Sequence, residues 1–128
     1  MQIIDANVVL RYLLKDNEVL FNKAVKIIEL NNVLLTNVII AEIVYVLEKV
    51  YKIPKAEISL VLKELFAQKT VHITERNLII LSLDYYNEYN IDFADAVLLS
   101  YSIVENSEVF TFDKKLSKLI AKLKRDLG

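Results

Sequence analysis

A chain of 128 residues, 55% hydrophobic and 26% charged, carries enough apolar material for one packed core and is neither disordered nor fibrous in composition. Cysteine is absent, which excludes disulfides, zinc–thiolate sites and thiol nucleophiles and suits a reducing compartment. The formal net charge of −1 lacks the basic excess usual in nucleic-acid binders, although Lys114, Lys115, Lys118, Lys122, Lys124 and Arg125 make the end of the chain locally basic.

The chain opens Met1-Gln2-Ile3-Ile4-Asp5, with neither a basic start nor a long apolar run, so no signal peptide is expected. Gln2–Ile4 predicts a first strand, and a helix begins near Ala6. The spacing of Phe21, Ala24, Val25 and Ile28 predicts a second helix. Val33–Thr36 predicts the next strand. Ile40, Ile43, Val44, Leu47, Val50 and Tyr51 form the stripe of a helix over Asn37–Tyr51. The most apolar stretch, Val33 to Leu47, is interrupted by Asn37 and Glu42 and falls short of the roughly 20 apolar residues that span a bilayer. No membrane segment is expected, and a cytoplasmic location follows as the default. Pro54 marks a helix end.

Ile58, Val61, Leu62, Leu65 and Phe66 form the stripe of a further helix, and Thr70–Thr74 predicts a strand. Ala96, Leu99, Ser100 and Ile103 sit in an almost wholly apolar helix with Asp92 at its N-cap. Val109–Phe112 predicts a fourth strand, and Leu116, Leu119, Ile120 and Leu123 close the chain as a helix. The only glycine is Gly128, so connections are expected to be short and tight. Strands separated by helices need crossover connections and therefore a parallel sheet. The expected fold is α/β, a three-layer sandwich with a central parallel sheet of about four strands covered by helices on both faces, in a single domain over residues 1–128.

In open α/β sheets, ligands bind beyond the carboxyl ends of the strands. Asp5 and Asp113 each follow a predicted strand and fall at such ends. Glu42 and Asp95 instead interrupt apolar helices, where a carboxylate is costly unless exposed, paired or bound to a cation. Ordinary alternatives exist: Asp5 and Asp113 as helix caps, Asp95 as a first-turn acid at the positive end of its helix. Gathered on one rim, the four acids would repel, and a hard divalent cation relieves that repulsion. An all-oxygen donor set favours Mg²⁺ or Mn²⁺ over zinc. The lone histidine, His72, excludes a metal-free ribonuclease built on two histidines and reads as a packed or rim residue. Arg11 and Lys15, a helical turn apart, are candidate phosphate contacts, with a solvated surface as the alternative.

Four segments carry a resemblance. They are Ile3-Ile4-Asp5-Ala6-Asn7-Val8-Val9-Leu10-Arg11-Tyr12-Leu13-Leu14, Ala41-Glu42-Ile43-Val44-Tyr45-Val46-Leu47, Asp92-Phe93-Ala94-Asp95-Ala96-Val97-Leu98 and Thr111-Phe112-Asp113-Lys114-Lys115-Leu116. In their order and separations the chain resembles PIN domains, and in size and layout it is similar to the toxin ribonucleases of VapBC-type toxin–antitoxin pairs. The resemblance implies an acidic quartet of Asp5, Glu42, Asp95 and Asp113 that is both catalytic and metal-binding. Asp5 and Asp95 are the preferred direct ligands of one or two Mg²⁺ or Mn²⁺ ions; Glu42 and Asp113 ligate directly, through water, or orient the nucleophile. Asn7 and Thr111 match polar positions beside the quartet, with Asp92 as a cap or an auxiliary acid. Arg11, Lys15 and Lys114 are the candidate substrate contacts.

The activity so implied is endoribonuclease cleavage of single-stranded or tRNA-like RNA by metal-activated water, leaving 5′-phosphate and 3′-hydroxyl ends. The implied partners are RNA, a second copy in a homodimer and an antitoxin protein. The alternatives are a PIN-like RNA-processing nuclease that is no toxin, or a non-catalytic RNA-binding module. A phosphatase of the haloacid dehalogenase class expects a second aspartate where this chain has Asn7.

Overall fold

The structure, a computed structural model, describes residues 1–127. It is a helix-rich α/β chain that divides into two compact units, one over Met1–Glu75 and one from Arg76 onward.

The amino-terminal unit holds a three-stranded parallel sheet in the order β1 (Gln2–Ile3), β2 (Val33–Leu35), β3 (Val71–Ile73). Gln2 pairs with Val33 and Ile3 with Leu34; Val33, Leu34 and Leu35 pair in turn with Val71, His72 and Ile73. Helices α1 (Ala6–Leu14) and α2 (Glu18–Leu30) connect β1 to β2, and α3 (Asn37–Tyr45) and α4 (Lys55–Phe66) connect β2 to β3. Caps set the helix starts. Asp5 Oδ1 accepts from Val8 N, Asn17 Oδ1 from Leu20 N and Thr36 Oγ1 from Ile39 N. The predicted stripes bury as the periodicity requires: Ala24 and Ile28, then Ile40, Ile43, Val44 and Leu47, then Ile58, Leu62, Leu65 and Phe66. In the middle strand, Val33 and Leu35 likewise have no solvent exposure.

Two expectations change in this unit. The helix over Asn37–Tyr51 is α-helical only to Tyr45; Val46–Val50 widens into a π-turn, with Tyr51 N donating to Val46 O and Ile53 N to Leu47 O. That widening takes Val50 and Tyr51 off the buried stripe, and both are exposed. The edge strand β1 is not covered on both faces, since Gln2 and Ile3 are exposed. Tight connections are also made without glycine. Lys15 and Lys52 take left-handed backbone at φ 55° and 57°, as Asn90 and Asn106 do in the second unit.

The carboxy-terminal unit consists of α5 (Arg76–Glu88), α6 (Phe93–Val104) and α7 (Lys114–Leu127). Helix α5 has no counterpart in the sequence reading. Its apolar arc is broken by Ser82 and widened by Tyr85 and Tyr86, yet Leu78, Ile79, Ser82, Leu83 and Tyr86 are all buried. Ser82 is accommodated by polar pairing: its Oγ donates to Leu78 O at 2.7 Å and lies 2.9 Å from Ser100 Oγ, which donates to Ala96 O at 2.9 Å. The Ala96–Leu99–Ser100 face of α6 is buried as expected, and Leu116 and Leu123 anchor α7.

The expected fourth strand, Val109–Phe112, is absent, and the sheet has three strands rather than about four. Its β-branched and aromatic residues suit a pleated surface only where a neighbouring strand takes up the backbone groups. Here Thr111 Oγ1 accepts the Asp113 N–H at 3.0 Å, a local bond that competes with a ladder. Phe110 and Phe112 stand 87% and 107% exposed.

Candidate active site

In a parallel sheet the carboxyl ends share one rim, and in the amino-terminal unit each end carries a polar residue. Asp5 stands two residues beyond β1, Asn37 two beyond β2 and Glu75 two beyond β3. Asp5 is extended (φ −88°, ψ 173°) and exposed, and its Oδ1 accepts from Val8 N at 3.2 Å. The cap alternative is therefore realised, but a carboxylate offers about four lone-pair sites, so one N–H leaves it free to ligate. Glu42 is exposed on α3, beside the buried Ile43 and Val44. The burial cost that singled it out in the sequence does not arise, because the helix turns this position to solvent.

Asn7 is exposed in the first turn of α1 and, with Arg11 and Lys23, lines a cavity of about 150 Å³. Arg11 is already engaged. It donates from Nη1 to Asp16 at 2.8 Å and from Nη2 to the Tyr51 hydroxyl at 3.1 Å, and its Nε is buried without a partner. The Tyr51 hydrogen bond leads in pushing the guanidinium pKa up; burial opposes it, and Asp16 adds to it. Lys15 ends α1, about 15 Å along the axis from Asp5. Its Nζ sits 5.7 Å from the centre of the Phe21 ring. There it borders a different cavity, of about 360 Å³, where Tyr12 donates to Glu29 at 2.7 Å and accepts from Gln68 at 3.0 Å. His72 Nε2 pairs with Asn32 Oδ1 at 3.1 Å on β3.

The carboxy-terminal unit brings three acids within electrostatic reach. Asp92 holds the N-cap position of α6, but its side chain makes no cap hydrogen bond. Asp95, half-buried in the first turn of α6, has its carboxyl pushed up by burial first, then by Asp113 and then by Asp92; only Lys115 works against them. Asp113 starts α7, its Oδ1 accepting from Leu116 N at 2.9 Å while its own N–H is held by Thr111. Lys114 is exposed beside it.

A family model for the PIN domain matches residues 3–122. The chain belongs to the PIN domain family. The match takes in both units and every acid of the quartet. PIN domains are generally metal-dependent nucleases, which points to RNA as substrate class. No curated protein and no solved structure matches the chain. Among the described residues no helix is long and apolar enough to cross a membrane.

The family implies a divalent ion. Among the described residues, no three Asp, Glu or His side chains are grouped closely enough to hold one as they stand. The chemistry of the donors nevertheless fits. Asp95, Asp113 and Asp92 are oxygen donors whose mutual charge raises Asp95, and a hard cation relieves that conflict.

One PIN-rim residue escaped the sequence reading. Glu75 follows the Thr70–Thr74 run as Asp5 follows Gln2–Ile4, so the strand-end rule points to it equally. It accepts from Asn37 Nδ2 at 2.8 Å, and Asn37 Oδ1 is buried without a partner.

Proposed function

We propose that this PIN domain is an endoribonuclease dependent on Mg²⁺ or Mn²⁺, with one or two ions held by Asp5, Glu42, Asp95 and Asp113 in a single domain over residues 1–128. The observation that carries the reading is Asp95. Its carboxyl is raised by burial and by two neighbouring acids in a set of purely oxygen donors. Perturbed groups of this kind concentrate at functional sites. Bound ions would supply a Lewis acid for the phosphate oxygens and a water of lowered pKa.

The chain's own contribution is placement. Asp5 and Asp113 are each fixed at a helix start by a backbone N–H, so little side-chain freedom remains to be lost on ligation. Thr111 holds the Asp113 backbone. Asp92, whose carboxylate is not spent on a cap, is available as an auxiliary acid. The starts of α1, α6 and α7 favour negative charge near Asp5, Asp95 and Asp113. In this reading Asn7 is a polar position beside the quartet, and Arg11, Lys15 and Lys114 are the substrate contacts, Lys15 lying beside the Phe21 ring. The expected products carry 5′-phosphate and 3′-hydroxyl ends.

The finer part of the proposal is a cytoplasmic toxin of a VapBC-type pair, homodimeric and restrained by an antitoxin. It is supported by the size and layout of the four motif segments. The test is cleavage of labelled single-stranded RNA with Mn²⁺, Mg²⁺ or EDTA, comparing wild type with Asp5→Asn. Asparagine caps helices as well as aspartate, so the variant removes charge without removing the cap. Metal-dependent cleavage lost in the variant supports the reading; equal behaviour of the two proteins leaves an RNA-binding module. Growth arrest on induced expression, abolished by Asp5→Asn, tests the toxin role.

A further inference from the structure

The basic run at the end of the chain finds no use in the quartet, but its geometry is specific. Lys115, Lys118 and Lys122 fall at i, i+3 and i+7 and so share one face of α7. With Leu119 and Tyr89 they line an open groove of about 240 Å³. None of the three lysines is in an ion pair among the described residues. Tyr89 lies just beyond α5, its N–H bonded to Tyr85 O at 3.0 Å and its ring centre 5.7 Å from that of the buried Tyr85. A second ring therefore packs against it, tilted by 46°. Burial first, then Glu88 and Asp126, push the Tyr89 phenol up, so the ring stays neutral at physiological pH.

The lining is an aromatic ring, a leucine and three lysines, a residue type whose apolar stem covers a groove wall while its ammonium group stays in water. Glu88 and Asp126 border the Tyr89 hydroxyl. At the other end Lys115 is within electrostatic reach of Asp95, so the groove begins near the acids of its own unit and runs about 10 Å along α7 to Lys122. An aromatic platform flanked by a row of cations is the pairing that holds a single-stranded nucleic acid: bases stack, and phosphates are neutralised. An acidic peptide would use the lysines but not the ring. An anionic bilayer would need its apolar residues to project, and here they are recessed.

We infer that the groove of Tyr89, Lys115, Lys118 and Lys122 binds a segment of single-stranded RNA, with a base on the Tyr89 ring and successive phosphates on the three lysines. The inference rests on the nuclease reading for where that strand leads, the acids beside Lys115, but its test does not depend on cleavage.

Binding of a fluorescein-labelled single-stranded RNA is followed by anisotropy in EDTA over a series of KCl concentrations. Each neutralised phosphate contributes about 0.7 to the slope of log K against log salt for single strands. Replacing Lys115, Lys118 and Lys122 by Gln should therefore flatten the slope by about 2, and replacing them by Arg should restore it. Tyr89→Leu should weaken binding roughly tenfold at every salt concentration with the slope unchanged, while Tyr89→Phe binds as wild type. An unchanged slope in the Gln variant, or a flattened slope that Arg does not restore, overturns the inference. So does a Gln variant that loses affinity for anionic phosphatidylserine vesicles or for a polyglutamate peptide while keeping its affinity for RNA. A wild type that cleaves RNA while its Gln variant keeps the slope refutes the groove and spares the nuclease. Lost slope without any cleavage does the reverse.

Discussion

Asp95→Asn should have opposite effects on stability with and without metal. Asp95 is half-buried at the start of α6, and its carboxyl is raised by burial, Asp113 and Asp92 against Lys115 alone. The native state therefore holds this proton more tightly than the unfolded chain does. Between the ordinary value of 3.8 and the raised native value, the native state binds more protons. The Asp95 contribution to stability is thus largest at low pH and is lost as pH rises through the native value. Asparagine removes that slope. In metal-free neutral buffer the variant should gain about 0.5 kcal/mol, the scale of partly exposed charge pairs, or roughly 2 °C in melting temperature for a chain of this size. Mn²⁺ reverses the order. At a hundred times its Kd an ion stabilises the wild type by about 2.7 kcal/mol, or roughly 10 °C, and a variant short of one ligand gains less. Melting curves in EDTA and in Mn²⁺ should therefore cross, variant above wild type without metal and below it with metal. A wild type indifferent to Mn²⁺, or a variant that gains as much from Mn²⁺ as the wild type, rules out Asp95 as a metal ligand.

Other substitutions test the local physics. Asp5→Ala should cost about 1 kcal/mol by removing the Val8 cap bond, and Asp5→Asn only a few tenths, in urea denaturation of metal-free protein. Ser82→Ala and Ser100→Ala should each cost about 1 kcal/mol, and less together than the two separately because they share one hydrogen bond; a double-mutant cycle reads the coupling. Lys52→Gly should be neutral or stabilise by up to about 1 kcal/mol in thermal melts, since Lys52 is exposed and its φ of 57° favours glycine.

Much of the architecture was legible because burial leaves a periodic trace. The stripes of α2, α3, α4 and α6 recur as buried faces, and the three paired strands lie within the runs that predicted them. Helix α5 was not legible: it is buried over a broad arc that includes Ser82, so its sequence has no clean polar face against which to read a stripe. Val109–Phe112 misleads for the converse reason, since residue preference describes a strand but cannot supply its partner. Positions were readable where local backbone chemistry fixes them. Asp5 and Asp113 are caps, and their spacing to the next helix announces it. Orientation was not readable. Glu42 drew notice as a carboxylate within an apolar helix, yet α3 presents it to solvent. Glu75 obeys the strand-end rule as well as Asp5 does, and its bond to Asn37 spans residues no short motif connects.

Four carboxylates that act as one metal site on RNA, as proposed, must fail together. Single-turnover cleavage in Mn²⁺ by Asp5→Asn, Glu42→Gln, Asp95→Asn, Asp113→Asn and their pairwise combinations tests it most directly. Groups that act as a unit are strongly non-additive. Each single change should lower the rate by at least about 100-fold, beyond the 10–100-fold typical of outer-shell partners, and each pair should lose little more. Losses that multiply across pairs, or a single variant cleaving at the wild-type rate, would contradict it.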